Sequence, residues 1–168
     1  MIGVPSRTKR GAERSLSPDE AFTIFGARGY IGSRLCKDIE KRGGKVLAFD
    51  RFNAREHSGV NLGHVIFAAG VTADFRTRPF DTVNAHVSAV AGILQAAMFE
   101  SFLYLSSTRV YQGAGETNEE AVLRVAPGDP LQLYNASKIA GEALCLAQPN
   151  DAIRVARLSN VYGADDPS

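Results

Sequence analysis

Residues 21–50, AFTIFGARGYIGSRLCKDIEKRGGKVLAFD, contain the pattern that decides the fold. The apolar run from Phe22 to Phe25 predicts a short buried strand, which ends at a glycine. From Tyr30 onward the apolar residues recur with helical spacing, and charged residues stand between them, so an amphipathic helix is predicted. A glycine pair ends that helix, and KVLAF, residues 45–49, predicts a second strand. The stretch therefore predicts a strand–helix–strand unit with a glycine-rich turn after the first strand.

The rest of the chain continues this alternation. Apolar runs predict three more strands, helical spacing predicts two long helices, and a Gly-, Pro- and Glu-rich segment predicts a loop. The strands cover residues 64–69, 102–107 and 152–159, the helices residues 78–101 and 133–148, and the loop residues 108–132. Such alternation indicates an α/β fold in which a parallel sheet is covered on both faces. We predict a doubly wound, three-layer α/β/α fold of the Rossmann type, with the first strand lying centrally.

The composition is that of an ordinary globular protein. The chain has 168 residues, of which 45% are hydrophobic and 22% charged, and its formal net charge is +1. We expect one domain at residues 21–168, preceded by a flexible basic tail at residues 1–20. A net charge near zero and the absence of a long apolar run in the sequence predict neither a nucleic-acid partner nor a membrane partner.

The cysteines and histidines predict no special chemistry. Cys36 and Cys145 lie within helical patterns, so we expect small buried thiols in a reducing cytoplasm rather than a disulfide. His57, His64 and His86 show no metal-ligand spacing, and no metal site is predicted. We expect His86 to be a packing or surface residue rather than a catalytic one.

The glycine turn has the context of a dinucleotide-binding site. Gly26, Gly29 and Gly32 are spaced by three residues between the first strand and the first helix. Glycines at such positions allow a tight bend, a close approach of the backbone to a pyrophosphate, and close packing of helix on strand. Free N–H groups at the helix start would bind the phosphates. Asp50, which ends the second strand, would accept hydrogen bonds from the ribose hydroxyls.

The residues around Asp50 bear on the choice of cofactor. A carboxylate repels a 2′-phosphate, so Asp50 favours NAD. Arg28 lies in the glycine turn and Arg51 follows Asp50, so either arginine could reach a 2′-phosphate. We expect both to be ordinary surface charges. NAD is therefore the predicted cofactor, and NADP stays open.

A second motif, YNASK, places Tyr134 and Lys138 four residues apart on one face of a helix. Many helices carry such a pair by chance, so the motif alone decides nothing. Combined with the GxxGxxG spacing and with YLSSTRVY at residues 104–111, however, it resembles the extended short-chain dehydrogenase/reductases. These are the NAD-dependent epimerase/dehydratase enzymes, which act mainly on nucleotide sugars. The resemblance covers about residues 22–163.

The resemblance implies a catalytic site made of Ser107, Tyr134 and Lys138. Ser107 matches the family's serine or threonine, and Ser106 is the alternative. Tyr134 would take a hydroxyl proton while a hydride leaves the same carbon for the nicotinamide. A free tyrosine has a pKa of about 10, so we expect the Lys138 ammonium and the nicotinamide to favour its phenolate.

The resemblance also implies the cofactor contacts and partners. We expect a nucleotide-sugar substrate and a cytoplasmic location, and a homodimer stays open. FDTVNAHVSAVAGILQAA resembles the family helix that carries an asparagine, here Asn84. The predicted cofactor-binding residues are Gly26, Arg28, Gly29, Tyr30, Ile31, Gly32, Asp50, Ala68, Ala69, Gly70, Asn84, Tyr134 and Lys138.

Three departures from the family pattern narrow the prediction. Only residues 51–63 connect the second strand to the third, where relatives usually have a further helix and strand, so Asn61 and Leu62 would form an abbreviated adenine contact. We expect the family's C-terminal substrate region to be largely absent. Thr108 and Arg109 stand where sugar 4,6-dehydratases have an Asp-Glu pair, so dehydration is disfavoured. We therefore predict an epimerase or a ketoreductase, with a non-catalytic dinucleotide-binding module or redox-sensing interaction subunit as the alternative.

Overall fold

The structure is a computed structural model, and it describes residues 16–17, 19–51, 53–71 and 74–162. Most of the basic tail predicted at residues 1–20 lies outside the described residues, as do residues 163–168. The described end of the tail is attached to the domain, because the N–H of Leu16 donates to the carbonyl of Arg42 at 3.1 Å.

Strands and helices alternate as the sequence predicts. The strands are β1 Ala21–Phe25, β2 Lys45–Phe49, β3 His64–Phe67, β4 Ser101–Ser107 and β5 Ile153–Leu158. The helices are α1 Tyr30–Lys41, α2 Ala54–His57, α3 Pro79–Val83, α4 Ala89–Ala96 and α5 Leu133–Leu146. A π-helical segment, Asn84–Ser88, joins α3 to α4, and 3₁₀ turns cover Thr108–Tyr111 and Pro130–Gln132. None of the helices in the described ranges has the length and apolar character needed to cross a membrane.

The sheet has the order β2-β1-β3-β4-β5, and every neighbouring pair is parallel. The predicted doubly wound parallel sheet of the Rossmann type is confirmed, and β1 is an interior strand beside the middle strand, β3. The chain leaves β1 toward β2 and then crosses back to β3 on the other side. The carboxyl ends of β1 and β3 therefore form the switch point at which such folds bind ligands.

The hydrophobic core lies on one face of the sheet, beneath α4 and α5. Phe25, Phe67 and Tyr104 stand in register on neighbouring strands, with successive ring centroids 6.0 and 5.9 Å apart. Val90 of α4 and Cys145 of α5 belong to the same buried cluster. Burial of a large apolar side chain contributes about 1.5–3 kcal/mol, so this cluster fixes both helices over the strands.

Helix α1 covers the opposite face at β1 and β2. Its buried Ile39 lies near Phe22, and the side chain of Phe22 alternates to the face opposite Phe25. Helices thus cover both faces of the sheet, as predicted from the alternation of strands and helices.

Strand β3 is two residues shorter than predicted. It ends at Phe67, and Ala68 and Ala69 belong to the turn that follows. The glycine turn explains the difference: the N–H of Ala68 donates to the carbonyl of Phe25 at 2.9 Å, and the backbone of Ala69 passes directly beside Gly26.

Two other predicted segments are more complex than the sequence indicates. The long helix predicted at residues 78–101 begins at Pro79, changes to π-helical geometry at Asn84–Ser88, and ends at Ala96. The predicted loop at residues 108–132 has a 3₁₀ turn at each end. Neither local helix type has a strong sequence signal, because both differ from an α-helix by a shift of one hydrogen-bond partner.

The predicted adenine contact by Asn61 and Leu62 is wrong. Both residues precede β3 at its amino end, where Leu62 is buried in the core and Asn61 pairs with Met98. The glycine turn lies at the carboxyl ends of the strands. Because no element between Leu62 and β3 carries the chain back across the sheet, these residues cannot reach that edge.

Candidate active site

The glycine turn joins β1 to α1, and two of its positions require glycine. Gly26 has a φ of +83°, in the left-handed region, and a Cβ there would lie 2.6 Å from the backbone N of Ala69. A Cβ on Gly32 would overlap the carbonyl oxygen of Gly26, so α1 could not begin this close to β1. Gly29 caps α1, and the first N–H groups of the helix have no intrahelical partner.

A cavity of about 460 Å³ opens over this turn. Its lining residues fit a dinucleotide: the glycine backbone permits close approach of a pyrophosphate, and Asp50 offers a carboxylate to a ribose. Most of the predicted cofactor-binding residues are in its lining. The described residues that line it are Gly26, Arg28, Gly29, Asp50, Arg51, Phe67, Ala68, Ala69, Gly70, Val71, Arg78, Asp81, Asn84, Ala85 and Ala89.

The other predicted cofactor residues do not line this cavity. Residues 30–32 form the first turn of α1 behind the glycine turn. Tyr134 and Lys138 lie beyond the end that Gly70 forms. A Cβ on Gly70 would be 3.7 Å from the Lys138 Nζ, so this end of the cavity adjoins the lysine.

Asp50 forms an ion pair with Arg28. The Arg28 Nε lies 2.8 Å from a carboxylate oxygen of Asp50, and the Arg28 side chain is 89% exposed. An exposed pair of this kind is worth about 0–1 kcal/mol, so a ribose hydroxyl can displace it. Arg28 is an exposed charge, as expected from the sequence, and its partner is the carboxylate that bears on cofactor choice. Arg51 also lines the cavity.

Ser107 and Tyr134 meet at the carboxyl end of β4. Ser107 is the last residue of the strand, and Tyr134, in the first turn of α5, is 4% exposed. Burial raises the pKa of Tyr134, whereas a hydrogen bond with the Ser107 side chain and the charge of Arg109 lower it. Because burial has the largest effect, the phenol alone is a weaker acid than usual. The lowered pKa expected from the sequence depends on the Lys138 ammonium and the nicotinamide together, whereas the groups that lower the pKa here are Ser107 and Arg109.

Ser106 does not join this pair. It is 5% exposed, and its Oγ has no hydrogen-bond partner among the residues that the structure describes. Successive strand residues point to opposite faces, so Ser106 and Ser107 diverge. The geometry brings Ser107, rather than Ser106, to the tyrosine.

The guanidinium of Arg109 stacks on the ring of Tyr134. Its Cζ lies 4.7 Å from the centroid of that ring and 5.6 Å from the centroid of Phe75. The two rings are 5.7 Å apart, and Phe75 is buried. A nearby cation stabilises the ionised form of a phenol. Arg109 thus contributes to stabilising the Tyr134 phenolate, which the sequence analysis attributed to Lys138 and the nicotinamide.

Lys138 lies one helical turn after Tyr134. Its Nζ donates to the carbonyl of Leu105 at 2.9 Å and lies 5.0 Å from the centroid of Tyr104. Burial lowers the pKa of Lys138 to about 8, and the charge of Glu142 opposes that shift. One of the three ammonium donors is used by Leu105, which leaves two for a ligand.

A buried ion pair fastens α5 to β5 and to the 3₁₀ turn after β4. Arg157 donates to both carboxylate oxygens of Glu142, at 2.7–3.2 Å, and to the hydroxyl of Tyr111 at 2.9 Å. The Arg157 and Glu142 side chains are 17% and 3% exposed. This network holds the turn that follows Ser107 against the helix that carries Tyr134.

The sequence profile of the NAD dependent epimerase/dehydratase family matches residues 22–168. The chain belongs to this family. The match spans the glycine turn, the end of β4 and α5, so the predicted family resemblance is confirmed. No match is found among the curated proteins.

Solved structures of other proteins share the fold. UDP-glucuronic acid 4-epimerase from Bacillus cereus is 20% identical, with a TM-score of 0.64 over 85% of this chain and 57% of that one. The NDP-hexosamine 5,6-dehydratase TunA is 21% identical, with a TM-score of 0.63 over 86% of this chain and 56% of that one. RMD from Pseudomonas aeruginosa is 23% identical, with a TM-score of 0.60 over 84% of this chain and 53% of that one. The chain therefore spans little more than half the length of these proteins.

One residue at the candidate site was not predicted as part of it. Asn84 lines the cavity as expected, but His86 is fully buried, with its ring perpendicular to Tyr134 and the centroids 5.3 Å apart. The expectation of a packing residue holds, and what it packs against is the site's tyrosine. A signal was present: His86 shares a helix face with the buried Thr82 and Val90, and a polar residue in a buried row needs partners.

Proposed function

We propose that this chain is the cofactor-binding and catalytic part of an NAD(P)-dependent epimerase or ketoreductase that acts on a nucleotide sugar. The observation that carries the proposal is the arrangement of three side chains: Ser107 at the end of β4 lies beside the buried Tyr134, and Lys138, one helical turn further on α5, adjoins Gly70 of the cavity. The relatives support the substrate class, since the Bacillus cereus epimerase has been solved with UDP-glucuronic acid and NAD.

Tyr134, Ser107 and Arg109 would each have a separate role in the hydride-transfer reaction. Tyr134 would exchange a proton with a sugar hydroxyl, and Ser107 would hold the same oxygen. Arg109 would stabilise the phenolate from the ring face. When bound, the nicotinamide accepts or donates a hydride, and its oxidised form adds a positive charge that favours the phenolate. The residue beside Tyr134 is the cation Arg109 rather than a carboxylate, and this favours epimerisation or ketone reduction over dehydration.

Lys138 and the glycine turn would hold the cofactor. The two remaining donors of the Lys138 ammonium point to a role in binding the nicotinamide ribose. Asp50 would bind the adenosine ribose after releasing Arg28, and on this basis NAD should bind more tightly than NADP. Fluorescence titration with NADH and NADPH tests the preference, and tighter NADPH binding would show that Arg28 outweighs the carboxylate. A homodimer stays an expectation, which light scattering tests.

The test of catalysis is Tyr134→Phe, assayed with oxidised NAD and a panel that includes UDP-glucose and UDP-glucuronic acid, and with NADH and a keto nucleotide sugar for the reductive direction. Turnover should fall by about 10²–10⁴-fold, the usual contribution of proton transfer, while NADH affinity stays the same. Tyr162→Phe is the matched control, because Tyr162 is 78% exposed. Full turnover by Tyr134→Phe would remove the proton-transfer assignment. NADH binding by the wild type without turnover of any sugar in the panel would favour the non-catalytic module.

A further inference from the structure

His86 connects three parts of the candidate site. It lies in the π-helical segment and is fully buried. Its Nε2 accepts a hydrogen bond from the N–H of Val71, in the loop after β3, at 3.2 Å. Its Nδ1 lies 2.8 Å from the Oγ of Ser137, which precedes Lys138 on α5. The third contact is the perpendicular packing on Tyr134 described above.

These hydrogen bonds define one tautomer. A backbone N–H can only donate, so the Nε2 that faces Val71 must be unprotonated. In a neutral imidazole the proton then lies on Nδ1, which donates to the Ser137 Oγ. The Ser137 hydroxyl in turn donates to the carbonyl of Tyr134 at 3.0 Å. A continuous chain of donors therefore runs from the loop after β3 to the first turn of α5.

His86 packs closely against two glycines, Gly70 and Gly141. A Cβ on Gly70 would lie 2.9 Å from the His86 Nε2, and one on Gly141 would lie 2.5 Å from the His86 carbonyl oxygen. That carbonyl also accepts a hydrogen bond from the Tyr104 hydroxyl at 3.3 Å. Glycines thus leave room for the imidazole on the loop side and for its backbone on the α5 side.

We propose that His86 is a positioning residue, which, as the neutral Nδ1–H tautomer, holds the Gly70–Val71 edge of the cofactor cavity at a fixed distance from the helix that carries Tyr134 and Lys138. The role in catalysis rests on the proposed function. His86 would touch no reacting atom and would act through Ser137 and the ring of Tyr134.

The surroundings of His86 require the neutral form. The titratable groups that face it are Lys138 and Tyr134 from α5 and Tyr104 from β4, and Gly70 and Val71 on the loop side carry no charge. Burial and the Lys138 ammonium lower the pKa of His86 to about 3. Protonation of Nε2 would replace its acceptor with a donor facing Val71 and would add a second buried cation.

The first test is nitrogen-resolved NMR of the His86 ring in the full chain without ligand. We expect a proton on Nδ1 alone at pH 7 and no titration down to about pH 5. A proton on Nε2, or titration near the ordinary pKa of about 6.5, would overturn the proposal. This readout needs neither cofactor nor substrate, so it stands apart from the outcome for the proposed function.

The second test compares NADH affinity among variants. His86→Leu keeps the bulk but neither hydrogen bond. We expect NADH to bind about tenfold more weakly, which is the effect of the lost hydrogen bond to Val71 at the edge of the cavity. His86→Gln should recover most of the affinity, because its amide can accept from Val71 and donate to Ser137. His64→Gln is the matched control, since His64 contacts Ser101 at the other end of the sheet.

Ser137→Ala keeps the proposal falsifiable if His86→Leu fails to fold. It removes one hydrogen bond, and NADH affinity should fall in the same direction. In the double variant the two losses should be less than additive, because both break one chain. Wild-type affinity in a folded His86→Leu, or in Ser137→Ala alone, would overturn the coupling. If the wild type binds no NADH, the proposed function fails and the NMR result still decides the tautomer.

Discussion

The buried ion pair between α5 and β5 gives the sharpest stability prediction. Arg157→Met removes the guanidinium and leaves the Glu142 carboxylate, 3% exposed, without the charge that balances it. The hydroxyl of Tyr111 loses a donor in the same change. Removing one partner of a buried pair costs about 3–5 kcal/mol. A domain of this size has about 5–15 kcal/mol in total, so this single change removes a large part of its stability.

Urea unfolding followed by circular dichroism measures the effect. With a slope of about 2 kcal/mol per molar urea, the loss should move the midpoint down by about 2 M. The control is Arg78→Met. Arg78 pairs with Asp81 at 2.8 Å, within the 2.7–3.2 Å range of the buried pair, but both of its side chains are about half exposed, 45% and 55%. That exposed pair should contribute no more than about 1 kcal/mol.

A double variant separates burial of charge from loss of packing. Arg157→Met with Glu142→Leu replaces the pair with apolar side chains and should recover most of the midpoint, because no unbalanced charge remains. The reasoning is refuted if Arg157→Met shifts the midpoint no more than Arg78→Met does. That result would mean that water reaches the Glu142 carboxylate in the native state.

Three further outcomes follow from the site. The pKa of His86 is about 3 in the folded chain and 6.5 in the unfolded chain, so between these pH values only the unfolded chain binds this proton. The free energy of unfolding should therefore fall by about 2 kcal/mol from pH 7 to pH 5. Urea unfolding at a series of pH values measures this fall, and in His86→Leu the part due to His86 should disappear. Arg109→Gln removes the charge that lowers the pKa of Tyr134, so the acidic limb of the pH–rate profile should move to higher pH; an unmoved limb would contradict this role. Gly32→Ala places a methyl group on the carbonyl of Gly26 and should abolish measurable NADH binding, whereas wild-type affinity would show that the turn can yield.

The fold was predictable because local patterns and global topology agree. Buried strands such as the run before Gly26 alternate with amphipathic helices, and this alternation permits few arrangements other than a parallel sheet. The ends of elements were less predictable. The turn after β3 depends on the backbone of Ala69 passing beside Gly26, which is a long-range contact that no local window contains.

In the candidate site, too, some residues could be predicted from local sequence and others depend on long-range contacts. Ser107, Tyr134 and Lys138 could be located because motif and chain order place them at the end of β4 and on α5. The stacking of Arg109 on Tyr134 depends on how the 3₁₀ turn after β4 folds over the ring. The environment of His86 depends on the loop after β3 and on α5 together. The spacing of residues within one segment therefore could not predict contacts that form only when three segments pack together.

The short connection through α2 has a consequence for behaviour in concentrated solution. Because no strand is added between β2 and β3, β2 forms an edge of the described sheet. An edge strand offers unpaired backbone N–H and C=O groups to a strand from another molecule, and this pairing leads to aggregation. Leu47 on β2 is 44% exposed, whereas Lys45 places at its start the charged residue type that natural edges use against such pairing. Lys45→Ala should therefore increase aggregation at high protein concentration, although Lys45 lies far from the candidate active site.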